Sequence, residues 1–267
     1  MKKNLLLIAS LLLFLVASTS ALAADPLTCW FPPGWKKKTE QAKNIAASLT
    51  KSSGITVRPR IAKSYPEILE AFSKGDKALV YVGSFVQAII NARDLGTPLV
   101  QNINGKQFYS GVLVYQKGGD PQAILKNTPD KVAYAVGASS GESSAKAATH
   151  GKASIGTANH GATCGAVKAG KAKAGVVKNW WWEANHDKYP ELAMYKIPEI
   201  SMEKNPDNVL TASKSVSTET IAKIRKAAID SKEAFGAPAM EPFDPANLQF
   251  SLDLMHKGNI DPKTYNW

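Results

Sequence analysis

Apolar runs and amphipathic segments alternate along most of the chain. The short apolar runs, which are typical of buried strands, are Leu27–Phe31, Ile55–Pro59, Ala78–Val82, Pro98–Ile103, Gly111–Tyr115, Val132–Val136, Ala174–Val177 and Asn208–Ala212. The segments with helical spacing are Thr39–Ser53, Tyr65–Ser73, Ser84–Arg93, Pro121–Leu125, Glu142–Thr149, Ala162–Ala169, Ile221–Phe235 and Pro245–His256. Short apolar strands that alternate with helices predict an α/β protein with buried, largely parallel sheets.

Residues at the ends of three helices support this assignment. Gly54 follows the first helix and predicts its end, because glycine readily adopts the left-handed backbone that closes a helix. Ser84 and Ser217 stand before apolar periodic segments, and we predict that they cap the helices there.

The pattern recurs in two blocks. Ala71–Val80 runs from a helix end through a glycine into an apolar strand, and Ala166–Val176 runs the same way. Two similar α/β lobes, each with one such unit, would explain the repetition. Open α/β sheets bind ligands beyond the carboxyl ends of their strands, so two facing lobes would form a cleft that closes on a small solute.

The N-terminus predicts export. Lys2 and Lys3 precede an apolar run over residues 5–17, and residues 21–23 form a small-x-small triplet of the kind that signal peptidase cleaves. We therefore predict a signal peptide over residues 1–23 and a periplasmic mature chain; the clean cleavage motif argues against an uncleaved anchor. No later stretch approaches the ~20 apolar residues that a membrane helix requires, so we expect the mature chain to be soluble.

Charge and cysteine content narrow the range of partners. Without Lys2 and Lys3 the chain carries 31 basic and 22 acidic residues, a net charge of +9 that favours anionic partners. The lysines are scattered and the chain is exported, so we expect no nucleic acid partner. Cys29 and Cys164 could pair in an oxidising compartment, although they fall in different blocks. No Cys/His spacing predicts a metal site, and we expect no cofactor.

Three short segments resemble one known family. They are Ser64–Gly75 followed by Tyr81–Phe85, Asn159–Ala162 with Val167 and Gly170, and residues 139–141 after a strand. In this order they resemble the periplasmic phosphonate/phosphate-type substrate-binding proteins of ABC transporters. The resemblance implies a two-lobed periplasmic-binding-protein fold of type II, in which each lobe is a mixed sheet flanked by helices and two hinge crossings join the lobes.

The same resemblance implies the domain organisation and the function. Crossings near Phe108–Gly111 and Ser201–Pro206 would divide the mature chain into residues 24–109 of the first lobe, 110–203 of the second lobe, and 204–267 that return to the first. The implied function is capture of a small phosphonate- or phosphate-like anion in the inter-lobe cleft and its delivery to an ABC permease in the inner membrane. We expect a monomer and no enzymatic activity.

A turn rich in serine and glycine, Gly137–Ser144, carries the candidate anion site. It joins a strand to a helix, so backbone N–H groups and hydroxyls would point from the helix start into a cleft and bind a phosphate-like or carboxylate group. Ordinary N-capping by one serine is the simpler interpretation, but it needs fewer hydroxyls than this turn offers. We predict that Ser139, Ser140 and Gly141 hold the anionic end of the ligand.

Three further polar residues are expected to complete this shell. His160 stands at a strand-to-helix junction, where it would donate a hydrogen bond or a positive charge to an anion. Tyr65 and Ser84 would add hydroxyl groups. A surface or capping role for His160 explains the sequence equally well.

The same turn supports an enzymatic alternative. Residues 137–141 match G-x-S-x-G, with Ser139 as nucleophile of a periplasmic serine hydrolase. Histidines downstream include His160, His186 and His256. The binding interpretation is preferred because no His-Gly-Gly oxyanion segment precedes the turn and no Asp/His pair stands out.

Aromatic residues at predicted loop ends allow a third interpretation. Trp35, Tyr65, Phe85 and the run Trp180–Trp182 could line an apolar pocket or surround a cation, which would suit an aromatic or cationic solute. Core or inter-lobe packing is the alternative, and we favour it for at least two of the three consecutive tryptophans. Trp35, Phe85 and Trp181 are retained as candidate ligand contacts.

Overall fold

The computed structural model of the protein describes residues 25–103, 106–137 and 141–266. These described residues form thirteen β-strands and nine α-helices. The strands β1 to β13, in chain order, are Leu27–Phe31, Val57–Ile61, Ala78–Val82, Gly96–Ile103, Phe108–Tyr109, Gly111–Gln116, Val132–Ala135, Ile155–Thr157, Ala174–Lys178, Leu192–Tyr195, Asn205–Pro206, Val209–Ser213 and Ala239–Pro242. The helices α1 to α9 are Thr39–Ser53, Tyr65–Ser73, Ser84–Ala92, Pro121–Asn127, Glu142–Ala148, His160–Lys168, Asn179–Glu183, Thr218–Asp230 and Gln249–Lys257.

The first sheet has six strands in the order β13-β4-β12-β3-β1-β2. Strand β1 pairs in parallel with β2 and β3, whereas β12 is antiparallel to β3 and β4, and β13 is antiparallel to β4. Helices α1 and α8 bury Ile45, Leu49 and Ile224 against one face. Helices α2 and α3 bury Ile68 and Ile89 against the other. This sheet with its four helices is the first lobe.

The second sheet has five strands in the order β10-β6-β9-β7-β8. Strand β7 pairs in parallel with β8 and β9, whereas β6 is antiparallel to β9 and β10. Helix α5 packs on one face through Ala145, and helix α6 packs on the other through Cys164 and Val167. This sheet with helices α4 to α7 is the second lobe.

Two short strands join the lobes. Strand β5 pairs antiparallel with β11, so that Tyr109 lies opposite Asn205 and Phe108 lies opposite Pro206. The chain therefore enters the second lobe and leaves it side by side. These features confirm the predicted fold class, in which two mixed sheets flanked by helices form two lobes joined by two hinge crossings.

Helix α9 lies between the two lobes. Leu254 packs into the core that α5 covers, whereas Met255 packs into the core beneath α3. The segment after α9 is tied to the first lobe, because the Arg93 guanidinium donates to the backbone carbonyls of Pro262 (2.9 Å) and Tyr265 (2.6 Å). The C-terminal segment therefore contacts both lobes.

Two of the predicted helix ends are confirmed, and one is wrong. Gly54 closes α1 with a left-handed φ of 72°, and the Ser217 hydroxyl accepts the Thr220 N–H (3.3 Å) at the start of α8. Ser84, however, does not cap α3. Gly83 occupies the N-cap position and Ser84 is the first helical residue, because its hydroxyl is engaged elsewhere, as described below.

One further expectation differs from the structure, and one open question is answered. The sheets are not largely parallel, since the strands that return along the chain, β12 and β13, and the strands β6 and β10 all pair antiparallel. Cys29 and Cys164 are free thiols buried in the cores of different lobes, so they form no disulfide.

The predicted signal peptide, residues 1–23, lies outside the described residues. Across the described parts of the chain, no helix combines the length and the apolar character needed to cross a membrane.

Candidate functional site

A cleft of about 440 Å³ lies where strand ends of the two lobes face each other. The chain after β1 and β2 forms one wall, and the chain after β7 and β8 forms the other. Parallel strands end at the same edge of a sheet, so each lobe presents loop ends and helix starts to this opening. The residues that line the cleft are Pro33, Gly34, Lys63, Ser64, Tyr65, Pro66, Ala135, Val136, Ala158, Asn159 and His160.

The start of α2 forms the wall of the first lobe. Pro66 suits the first helical turn, because its fixed φ is already helical and its missing N–H has no partner there to lose. The Glu67 carboxylate accepts the backbone N–H of Lys63 (2.7 Å), which holds the entry to the helix. Tyr65 is the first helical residue and projects into the cleft. Burial, with a smaller contribution from the charge of Glu142, raises the pKa of Tyr65 to about 12, so the phenol stays protonated at neutral pH.

The start of α6 forms the wall of the second lobe. The Asn159 side chain accepts the Ala162 N–H (3.0 Å) and fixes the first turn, which places His160 as the first helical residue. The His160 ring lies 5.7 Å from the ring of Trp181. Burial, followed by the positive charge of Lys178, lowers the pKa of His160 to about 4. The imidazole is therefore neutral at physiological pH and can still donate one N–H.

The turn after β7 closes against Tyr65 of the opposite lobe. Gly137 has a left-handed φ of 71°. A Cβ atom at this position would lie 2.1 Å from Cδ2 of Tyr65, so both the backbone and the contact require glycine. Ser139 and Ser140 lie outside the described residues, and Gly141 follows as the N-cap residue of α5.

A buried carboxylate supports this turn from behind. Glu142, the first residue of α5, accepts the Gly137 N–H at 2.6 Å through Oε2 and accepts the Tyr265 hydroxyl through Oε1. Burial and the hydrogen bond to Glu142 raise the pKa of Tyr265 well above its usual value. The C-terminal segment thus reaches from the first lobe to the base of the candidate anion turn in the second.

The hinge end of the molecule is basic and aromatic. Lys178, the last residue of β9, pairs with Asp207 of the second crossing at 2.8 Å. Its ammonium group lies 4.3 Å from the ring centroids of both Tyr109 and Trp180. Burial lowers the pKa of Lys178, and the Asp207 carboxylate opposes that shift. The pair connects the end of the second sheet to the returning chain.

The structure brings some of the predicted site residues together and separates others. Tyr65 and His160 line the cleft, Trp181 contacts His160, and Gly141 begins the helix that follows the candidate turn. The sequence analysis did not identify Val136, which lines the cleft, or Lys178, which acts on His160.

Three predicted contacts lie inside the first lobe. Trp35 stacks on Phe31 with ring centroids 4.9 Å apart, in the core beneath α1. Phe85 is buried beneath α3, where it meets the ring of Tyr265 edge-on. Ser84 is fully buried, and its hydroxyl shares a 2.8 Å hydrogen bond with the Tyr109 hydroxyl of the first crossing.

The triple tryptophan divides among three environments. Trp182 is buried in the core of the second lobe, Trp181 is half-buried against His160 and Tyr189, and Trp180 faces the hinge lysines. Core packing therefore accounts fully for Trp182 and partly for Trp181.

Comparison with known proteins identifies one family and one fold. The sequence profile described as "ABC transporter, phosphonate, periplasmic substrate-binding protein" matches residues 36–248. The structure is similar to that of PhnD1 from Prochlorococcus marinus in complex with methylphosphonate, with a TM-score of 0.66 and 16% identity over 88% of this chain and 98% of that chain. No curated protein sequence is significantly similar.

Two further solved structures share the fold. A protein from Xanthomonas citri bound to ATP has a TM-score of 0.68 and 11% identity over 88% of this chain and 97% of that chain. A binding-protein component of an ABC phosphonate transporter from Pseudomonas aeruginosa has a TM-score of 0.63 and 14% identity over 87% of both chains. At these identities the structures establish the fold alone. The profile describes a family of substrate-binding proteins, which favours capture of a solute over ester hydrolysis by Ser139.

Proposed function

Because the chain belongs to the family of periplasmic phosphonate-binding proteins of ABC transporters, we propose that its inter-lobe cleft captures a small phosphonate. The observation that carries this proposal is the meeting of two helix starts in one cleft. Tyr65 begins α2 in the first lobe, and His160 begins α6 in the second. Each start offers a side-chain donor at the N-terminal end of a helix, where the helix dipole favours an anion.

The protonation states of both side chains suit an oxyanion. The Tyr65 phenol keeps its proton, and the His160 imidazole is neutral with one N–H, so each donates a hydrogen bond without bringing a counter-charge. Neutral donors hold an anion through directional hydrogen bonds, each of which contributes about 1.5–3 kcal/mol when its partner is charged. Lys63 at the rim and Lys178 behind His160 add long-range attraction.

The turn between β7 and α5 completes the proposed anion site. We assign the hydroxyls of Ser139 and Ser140 and the N–H of Gly141 to the phosphonyl oxygens, at the positive end of α5. Trp181 then acts as a support for His160. We assign no ligand contact to three of the residues that the sequence suggested. Ser84 contributes to the hinge, and Phe85 and Trp35 contribute to the core of the first lobe.

The biological setting forms part of the proposal. Cleavage after residue 23 would release the mature chain into the periplasm as a monomer, with lobes formed by residues 24–109 with 204–267 and by residues 110–203. The closed, loaded form would then dock on an ABC permease in the inner membrane. Mass spectrometry of the exported protein and light scattering of the purified chain test cleavage and oligomeric state.

Isothermal titration calorimetry tests the ligand. We expect methylphosphonate to bind, and His160→Asn to weaken that binding by about 10–100-fold, because it removes a hydrogen bond to a charged group. His186→Asn is the matched control, since His186 is half exposed and pairs with Asp187 at the surface. Failure of methylphosphonate, phosphite, phosphate and acetate all to bind would reject the proposal.

A further inference from the structure

We infer that the cleft selects phosphonates whose substituent is apolar and uncharged, and that it rejects those whose substituent carries an ammonium group. The inference rests on the proposed function and narrows it to one ligand class. Three separate features of the cleft and its surroundings support it: the composition of the wall, the state of the nearby carboxylates and the occupation of the aromatic rings.

The wall beside the proposed anion site is apolar. Val136, directly after β7, has 45% of its surface exposed, which makes it the most exposed large apolar side chain among the described residues. Pro33, Pro66 and Ala158 line the same cleft. A short alkyl group placed against these side chains would be buried without any loss of hydrogen bonds, at a gain of about fourfold in affinity for each CH₂ group.

In the described part of the cleft no carboxylate is available for a ligand cation, because none of its lining residues is aspartate or glutamate. The acidic groups beside the cleft already have partners. Glu67 accepts the Lys63 N–H and pairs with Arg60, Glu142 accepts the Gly137 N–H and the Tyr265 hydroxyl, and Asp207 pairs with Lys178. An ammonium group would therefore lose its water without gaining a counter-ion.

The aromatic rings at the hinge end already face cations of the protein. The Lys178 ammonium lies over Trp180 and Tyr109, and Lys106 lies 6.0 Å from the Trp180 centroid. Trp35, which is buried in the core of the first lobe, has Lys38 at 5.2 Å from its centroid. The positive charge of these lysines opposes the approach of a ligand cation to the same rings. The arrangement argues against the cationic solute that the tryptophans suggested at the level of sequence.

A pair of isosteric ligands tests the inference. In n-propylphosphonate and 2-aminoethylphosphonate a terminal methyl group replaces an ammonium group of nearly the same size. We expect calorimetry to show tighter binding of n-propylphosphonate by about 30-fold or more, because desolvating an unpaired cation costs several times the energy of burying a methyl group.

A matched pair of variants tests whether the preference for an uncharged substituent arises at Val136. Val136→Asp supplies the missing carboxylate and should reduce the preference for n-propylphosphonate over 2-aminoethylphosphonate by about tenfold or more. Val136→Asn introduces a side chain of the same size as aspartate without the charge, so it should retain a clear preference for n-propylphosphonate. Val136 is largely exposed, so neither variant should disturb folding, and thermal unfolding of the ligand-free proteins checks this.

The outcomes separate this inference from the proposed function. Equal or tighter binding of 2-aminoethylphosphonate by the unaltered protein overturns the inference and leaves phosphonate capture intact. An equal change in preference in Val136→Asp and Val136→Asn overturns the charge argument. If neither of these two phosphonates binds, the inference fails, and the proposed function fails with it only if methylphosphonate does not bind either.

Discussion

Two helix–strand units, one in each lobe, have the same backbone and different chemistry. In the first lobe α2 leads through Gly75 to β3, and in the second lobe α6 leads through Gly170 to β9. Both glycines are left-handed, with φ of 79° and 69°. The backbone hydrogen bonds that end the two helices also correspond. The Asp76 N–H donates to the Ala71 carbonyl at 3.1 Å, and the Lys171 N–H donates to the Ala166 carbonyl at 2.9 Å.

The two units differ where they meet the cleft. Helix α2 begins with Tyr65 followed by a proline, and no side chain caps it, whereas α6 begins with His160 and is capped by Asn159. The phenol of Tyr65 reaches across to Gly137 of the other lobe, while the imidazole stays within its own lobe beside Trp181. The first side chain therefore contacts the opposite lobe, and the second packs against a ring of its own lobe.

The strand ends of the two units differ as well. Helix α3, which follows β3, has Gly83 as its N-cap and Ser84 as its first residue; helix α7, which follows β9, has Lys178 as its N-cap and Asn179 as its first residue. Both units contact the first crossing, since Ser84 bonds the Tyr109 hydroxyl and the Asn179 carboxamide accepts the Ser110 N–H at 3.2 Å. Of the two helix starts, only that of the second unit carries a charge, on Lys178. The comparison indicates that a shared scaffold positions both walls, while the second lobe supplies the electrostatics.

Replacement of Gly137 by alanine should have the largest effect, because it disturbs the contact between Tyr65 of the first unit and the turn after β7. The new Cβ atom would overlap Tyr65, and the left-handed backbone would be strained as well. We expect methylphosphonate affinity to fall by about 100-fold or more, measured by calorimetry. In a Tyr65→Ala background, which has no ring at this contact, Gly137→Ala should cost less affinity than in the unaltered protein; an equal cost in both would assign the loss to backbone strain.

The pH dependence of stability should show the second largest effect, which comes from His160 at the start of α6. His160 has a pKa of about 4 in the folded state against 6.5 for the free side chain, so between these values the unfolded chain binds the extra proton and stability rises with pH. For this reason we expect the free energy of unfolding of the ligand-free protein to rise by about 3 kcal/mol between pH 4 and pH 6.5, and to be independent of His160 above pH 6.5.

Urea unfolding at several pH values measures this contribution as the difference between the unaltered protein and His160→Asn. The variant should lose the rise between pH 4 and pH 6.5 that the histidine produces. Identical pH profiles for the two proteins would show that burial and Lys178 do not act on His160 as described.

Tyr65→Phe should have a smaller effect on ligand affinity. It keeps the ring against Gly137 and removes only the hydroxyl, so we expect a loss of about tenfold in phosphonate affinity, as for one hydrogen bond to a charged group. Calorimetry measures the loss. Unchanged affinity would restrict Tyr65 to a steric role in closure.

Ser84→Ala should have the smallest effect, and it should act on stability. The hydroxyl bonds Tyr109 inside the hinge, so its removal should lower the free energy of unfolding by about 1 kcal/mol and change ligand affinity by less than about threefold. Thermal unfolding and calorimetry on the same preparation separate the two. A large loss of affinity would instead indicate that Ser84 contacts the ligand, as the sequence predicted.

Much of the fold could be predicted because its determinants are local. The bounds of β1, α1, α2 and β3 follow directly from apolar spacing with Gly54 and Pro66 as end markers. The missed elements lack such patterns: β8 has three residues, β11 has two, and β13 contains a proline and a glutamate at the edge of its sheet. Their pairing is decided by the neighbouring strands and leaves little trace in the sequence.

The residues of the candidate site also differ in how far they could be predicted from local sequence. Tyr65 and His160 could be predicted because helix starts have local sequence markers. Lys178 and Glu142 could not, since their partners are distant in sequence: Asp207 follows Lys178 by 29 residues, and Tyr265 follows Glu142 by 123. Contacts of this range depend on how the lobes and the C-terminal segment are assembled.

The two native thiols have a practical consequence. Cys29 and Cys164 are the only cysteines of the chain and both are buried, and burial raises the pKa of Cys164 to about 12. Neither will therefore react readily with maleimide reagents in the folded protein. A cysteine introduced at position 136 would accept a fluorescent dye selectively, and the emission of that dye would turn each capture event into an optical readout.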